Sequence, residues 1–202
     1  FDLPEGHRIL VPGQVEDDAS IQTGTTDVRT NLDLLKATRA ANPTARIFYK
    51  PHPDVEAGLR KGRIRREEAD AHADMVLDHA DMAALLEVVD EVWTMTSLTG
   101  FEAILQGCKV TTLGTPFYAG WGLTDDRSDV PARRTAHPSL EGLVHATLID
   151  YPRYRDPVSG LPCSVEVALD RLASGEIPHS GWGNRVLSKL QGRFASYQSL
   201  WR

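Results

Sequence analysis

The chain has 202 residues, 41% hydrophobic and 25% charged, which is enough to bury a core without disulfide or metal staples. A net charge of −6 argues against nucleic acid as the main partner, because neutralising phosphates takes a basic face. No apolar run approaches the ~20 residues of a membrane span, and two cysteines, Cys108 and Cys163, are too few for a disulfide framework, which fits a reducing cytoplasm.

The start, Phe1-Asp2-Leu3-Pro4-Glu5-Gly6, has neither the basic region nor the apolar core of a signal peptide. It also lacks an initiator Met, so part of a longer chain is expected. Arg8-Ile9-Leu10-Val11, stopped by Pro12-Gly13, predicts a buried strand. The polar stretch 14–30 predicts a loop. Asn31 is the expected cap of a helix over 32–41, with Leu32, Leu35 and Arg39 on one face and Leu34 and Thr38 beside them. Asn42-Pro43 ends it. A second strand over 46–50 is stopped by Pro51-His52-Pro53. The charged stretch 60–74, whose only large apolar residue is Ile64, predicts a surface loop and an exposed helix. A short strand over 75–77 precedes a helix that Asp81 caps and that runs through Val88. Residues 91–95 predict another strand, Thr99-Gly100 opens a helix that closes at Gln106-Gly107, and 110–113 is the next strand. Beyond Pro116 the pattern turns helical, over 140–149 and 165–173.

Strands alternating with helices predict an α/β fold, a Rossmann-like parallel sheet with helices on both faces. Its expected extent is 8–135, with a carboxyl-terminal helical extension over 136–202 packing on it. No G-x-G-x-x-G fingerprint marks a dinucleotide site, and neither a Walker loop nor a G-x-S-x-G elbow is present. The tail from Ser180 holds Arg185, Lys189, Arg193 and Arg202 and no acid. It reads either as a solvated last helix or as a contact for anionic lipid.

In open α/β sheets, ligands bind beyond the carboxyl ends of the strands. Three polar segments fall there: 13–20, 50–54 and 96–102. Thr96, Ser97 and Thr99 precede a helix and can offer hydroxyls and N–H groups to a phosphate, or simply cap the helix. His52, held between Pro51 and Pro53, can bind or protonate a phosphoryl oxygen, or be an ordinary loop histidine. One of Glu16, Asp17 and Asp18 can serve as base or nucleophile, or all three can form a solvated acidic loop. Glu102 can hold ribose hydroxyls or lie exposed. No metal site is expected, because the seven histidines are scattered without ligand spacing.

Four segments occur in a telling order: 11–21, VPGQVEDDASI; 49–55, YKPHPDV; 94–103, TMTSLTGFEA; and 116–124, PFYAGWGLT. Together they resemble the KpsC-type capsule-polysaccharide β-Kdo transferases, specifically the second of that family's two tandem modules, over about Arg8 to Ala173. The resemblance implies a metal-independent, retaining transfer of Kdo, an eight-carbon acidic sugar, from CMP-Kdo onto a Kdo linker on a glycolipid. It implies a GT-B-like fold with no cofactor and the donor between two Rossmann-like halves. A Q-x-x-x-D-x-S pattern of that family reads here as Gln14, Asp18 and Ser20, which makes Asp18 the expected nucleophile, with Asp17 and then Glu16 behind it. His52 is the expected partner of the departing CMP phosphate. Thr96, Ser97 and Gly100 are expected at the donor phosphate, Glu102 at the ribose, and Lys50 and Pro53 beside the donor. Glu16 and Asp17 are expected on the sugar or acceptor side, and Tyr118 and Trp121 either shape that side or form a packed aromatic turn.

The family's fold also has a half that precedes the strand at Val11, and at most seven residues precede that strand here. This chain by itself is therefore expected to bind CMP weakly and not to catalyse. A cytoplasmic location, peripheral on the inner membrane face, and contacts with other capsule assembly proteins are the remaining expectations. Two other readings stay open: a non-catalytic polysaccharide-binding module of the same fold, and a GT-B-fold UDP-sugar epimerase.

Overall fold

A computed structural model describes residues 3–176. The expected alternation is present. Strands β1 (Arg8–Pro12), β2 (Arg46–Lys50), β3 (Met75–Val76), β4 (Glu91–Thr94), β5 (Lys109–Thr112) and β6 (Asp125–Asp126) form one six-stranded sheet. Its order is β3-β2-β1-β4-β5-β6, and every pairing is parallel. The chain thus builds outward from β1 through β2 to β3, then returns to lay β4 on the other side of β1. At that reversal the loops leaving β1 and β4 run to opposite sides and leave a crevice above the strand ends.

The strands are short apolar runs because both sheet faces are covered. Ile9, Val11, Ile47, Tyr49, Trp93 and Met95 point one way and pack with Leu34 and Leu35 of helix α2 (Asn31–Ala41) and Ala69 of α4 (Arg66–Asp70). Leu10, Phe48 and Val92 alternate to the other face and are fully buried. Each such side chain contributes about 1.5–3 kcal/mol on burial.

Several boundaries differ from expectation for local reasons. The stretch expected as a loop contains α1 (Ala19–Gly24), a six-residue helix capped by Asp18 and anchored by buried Ile21. Helix α2 is capped by Thr30, whose hydroxyl accepts from the Asp33 N–H. Asn31, the expected cap, is fully buried and spends its amide on the loop after β1. Helix α3 (Pro53–Glu56) follows β2, α5 (Met82–Leu86) follows its Asp81 cap, and α6 (Leu98–Leu105) follows β4.

The chain divides into two compact units between Leu143 and Val144. That point falls within α7 (Leu140–His145), which passes into a π turn at Ala146–Asp150. The second unit is not purely helical. It holds an antiparallel hairpin, β7 (Tyr154–Arg155) with β8 (Pro162–Cys163), and helix α8 (Val165–Ser174). The basic tail lies outside the described residues. Among the described residues no helix is long and apolar enough to cross a membrane.

Candidate functional site

A cleft of about 510 Å³ opens above the sheet at the reversal between β1 and β4. The loop after β1 supplies Gly13, Gln14, Val15, Asp18 and Ser20, and the end of β2 supplies Lys50, His52 and Pro53. The turn after β4 and the start of α6 supply Thr96, Ser97, Leu98, Thr99 and Glu102, and Met82 enters from α5. The loops after β1 and β2 can approach this closely because Gly13 has no side chain. A Cβ there would stand 2.8 Å from the Tyr49 hydroxyl and 3.0 Å from the His52 backbone nitrogen.

Asp18 caps α1. Its Oδ1 accepts from the Ser20 hydroxyl at 2.7 Å and from the Ser20 N–H at 2.8 Å. Those two bonds hold its carboxyl below the usual aspartate range against a smaller opposing push from burial, and Arg60 adds favourable charge, as His52 does when protonated. The group is therefore an anion at neutral pH.

His52 caps α3, its Nδ1 accepting from the Asp54 N–H at 3.1 Å. With Nδ1 engaged as an acceptor, the neutral ring carries its proton on Nε2 and is a donor there. Pro53 at the first helical position fits that cap. Lys50, a charged residue at a strand end, is only 4% exposed. Its Nζ donates to the Pro51 carbonyl at 3.2 Å, which leaves donor capacity for a ligand. Ser97 caps α6 by accepting from the Thr99 N–H at 3.2 Å, so the positive end of that helix abuts the cleft.

Ten of the residues singled out in the sequence line this one cleft: Gln14, Asp18, Ser20, Lys50, His52, Pro53, Thr96, Ser97, Thr99 and Glu102. Five do not. Glu16 accepts from the Asn31 N–H and fastens the start of α2. Asp17 pairs with Arg60 at 3.0 Å. Gly100 is buried against Tyr118, and a Cβ there would lie 2.2 Å from the tyrosine oxygen. Tyr118 itself is fully buried, as the reading of a packed aromatic turn has it, and its hydroxyl donates to the Ser97 carbonyl. Trp121 donates to the Phe117 carbonyl at 2.7 Å and stacks beneath the Arg134 guanidinium. Met82, Val15 and Leu98 were not anticipated. They supply an apolar side to a polar cleft, and nothing distinguishes them in the sequence from core residues. Among the described residues no cluster of His, Cys, Asp and Glu side chains is placed to hold a metal ion.

The family model for capsule polysaccharide biosynthesis proteins matches residues 4–154, which include every residue of the cleft. The chain belongs to this family. Among relatives of this capsule biosynthesis chain, the capsule polysaccharide modification protein LipA of Neisseria meningitidis serogroup B is 52% identical over 94% of the chain and 28% of its own length. The lipopolysaccharide-processing protein LpsZ of Rhizobium meliloti is 46% identical over 82% of the chain and 38% of its own length. Two solved structures from Thermosulfurimonas dismutans KpsC share the fold of this family member. The beta Kdo 2,7 transferase is 40% identical with a TM-score of 0.77, covering 86% of this chain and 57% of that one. The beta Kdo 2,4 transferase is 32% identical with a TM-score of 0.73, covering 85% and 53%. The capsule chain thus spans little over half the length of the solved transferases and under a third of LipA.

Proposed function

We propose that this capsule biosynthesis chain holds the donor side of a Kdo transferase, taking Kdo from CMP-Kdo and passing it to a Kdo-bearing glycolipid. The observation that supports this best is the meeting, at the sheet's reversal, of an anionic Asp18, the Nε2 donor of His52 and the N-terminus of α6. In the proposed reaction an Asp18 oxygen attacks the anomeric carbon of the sugar. The bond to the CMP phosphate oxygen breaks, and its electron pair stays with CMP. His52 Nε2–H and the Ser97 end of α6 meet the charge that develops there. An acceptor hydroxyl then displaces Asp18, its proton passing to the phosphate oxygen that left in the first step and the electron pair of the broken bond returning to the Asp18 carboxylate, so two inversions retain configuration. Lys50 pairs with the carboxylate of the sugar, and Glu102 holds the ribose.

These groups meet the phosphate charge without a divalent cation, so transfer is expected to persist in a chelator. Asp18→Asn in the full-length protein should abolish transfer while CMP binding stays close to wild type. Transfer at the wild-type rate would remove Asp18 from the nucleophile role. Thermal protection by CMP is expected, and protection by UDP instead would favour the epimerase reading.

A further inference from the structure

Gln14 lines the cleft, yet its carbonyl oxygen is already saturated. It accepts from Thr94 Oγ1 at 3.0 Å, Met95 N at 3.0 Å and Thr96 N at 3.2 Å. Its amide nitrogen donates to Thr96 Oγ1 at 3.0 Å. Thr96 Oγ1 donates in turn to Ser20 Oγ at 3.3 Å, and Ser20 Oγ donates to Asp18 Oδ1 at 2.7 Å. The direction of this chain is set at both ends, since an amide nitrogen only donates and a carboxylate only accepts. Hydrogen bonds aligned one way polarise and strengthen each other. The chain crosses the reversal of the sheet, joining the turn after β4 to the loop after β1. With the Ser20 N–H it takes up Asp18 Oδ1 from two donors, and among the described residues Oδ2 has no hydrogen-bond partner.

We infer that Gln14, Thr96 and Ser20 are positioning residues, which clamp Asp18 by Oδ1 so that Oδ2 alone is presented to the substrate. For its catalytic consequence this rests on the reading of Asp18 as nucleophile; the clamp itself does not. The charged group that acts on Asp18 is Arg60, which favours its anion alongside the Ser20 bonds, as His52 does only when protonated.

The test is a carbon-13 carboxylate titration of this chain by NMR, with Asp74, in a separate network, as internal control. Ser20→Ala should move the Asp18 midpoint upward, Thr96→Val should move it the same way by a smaller step, and Thr96→Ser should restore it. The Asp74 midpoint should hold throughout. An Asp18 midpoint unmoved in Thr96→Val, with Asp74 intact, overturns the clamp. Should that variant fail to fold, an unmoved midpoint in Ser20→Ala overturns it equally. In the full-length protein Thr96→Val is expected to lower kcat about 10²-fold, the cost of roughly an ångström of misplacement, with the donor KM nearly unchanged. A raised KM with kcat kept would make Thr96 a donor ligand and overturn the positioning role. If Asp18→Asn stays active while the titration shifts appear, the clamp stands and the nucleophile reading falls.

Discussion

Asp74, just before β3, holds α2 and β2 with a single carboxylate. Its Oδ2 accepts from the Ile47 N–H at 2.8 Å and from Arg39 at 2.5 Å, and Oδ1 faces Arg46 at 3.4 Å. Burial alone pushes its carboxyl up, but the Ile47 N–H, then Arg39 and Arg46, outweigh that and leave it below the ordinary aspartate range. A carboxyl held lower in the fold than in the unfolded chain contributes stability above its unfolded pKa. That contribution fades as pH falls through the folded value. Asp74→Ala is therefore expected to cost about 1–3 kcal/mol at neutral pH, and urea melts should show the gap to wild type closing in acid. A gap that is constant with pH would mean that the loss is one of packing alone. His52 illustrates a different economy at the same scale. A single hydrogen bond from the Asp54 N–H caps a helix and also selects the tautomer that can donate into the cleft.

At the scale of elements, the start of α6 sits on an aromatic floor. Phe101, Phe117 and Tyr118 pack with ring centroids 5.1–6.3 Å apart, and the Tyr118 hydroxyl holds the Ser97 carbonyl. Gly100 is what lets that floor come close, since any Cβ would meet the tyrosine ring. Gly100→Ala should lower stability by about 1–3 kcal/mol through overpacking. It should also weaken CMP binding by lifting the Ser97 cap; a thermal melt and a titration check the two effects, and an unchanged melt would contradict the floor. The same scale explains what sequence could not anticipate. Helices α1 and α3 have six and four residues, too few for a 3.6-residue period to register. Their caps, Asp18 and His52, stood out as chemistry because acidic and proline-bracketed residues are conspicuous, while their capping duty was hidden. Asn31 resembled a helix cap in sequence, but it is instead a buried hub that bonds both the N–H and the carbonyl of Gln14.

For the whole molecule, the parallel sheet was readable because strands covered on both faces are continuous apolar runs, broken by Pro and Gly just where the loops begin. That much places the loops after β1, β2 and β4 on one rim, and it is why ten of the chosen residues share one cleft. Side-chain direction within a loop has no such periodic signal. Glu16 and Asp17, neighbours of Asp18, turn to Asn31 and Arg60, and Tyr118 turns inward under α6. The hairpin of β7 and β8 went unseen because two-residue strands show no alternation. The central claim is that the cleft at the sheet's reversal takes the cytidine phosphate of the donor. Its most direct test is calorimetric titration of CMP into this chain beside His52→Ala. Binding by the wild type, with UDP giving less heat and His52→Ala losing most of the affinity, is the predicted result. CMP binding that His52→Ala leaves untouched, or none at millimolar CMP, would contradict it.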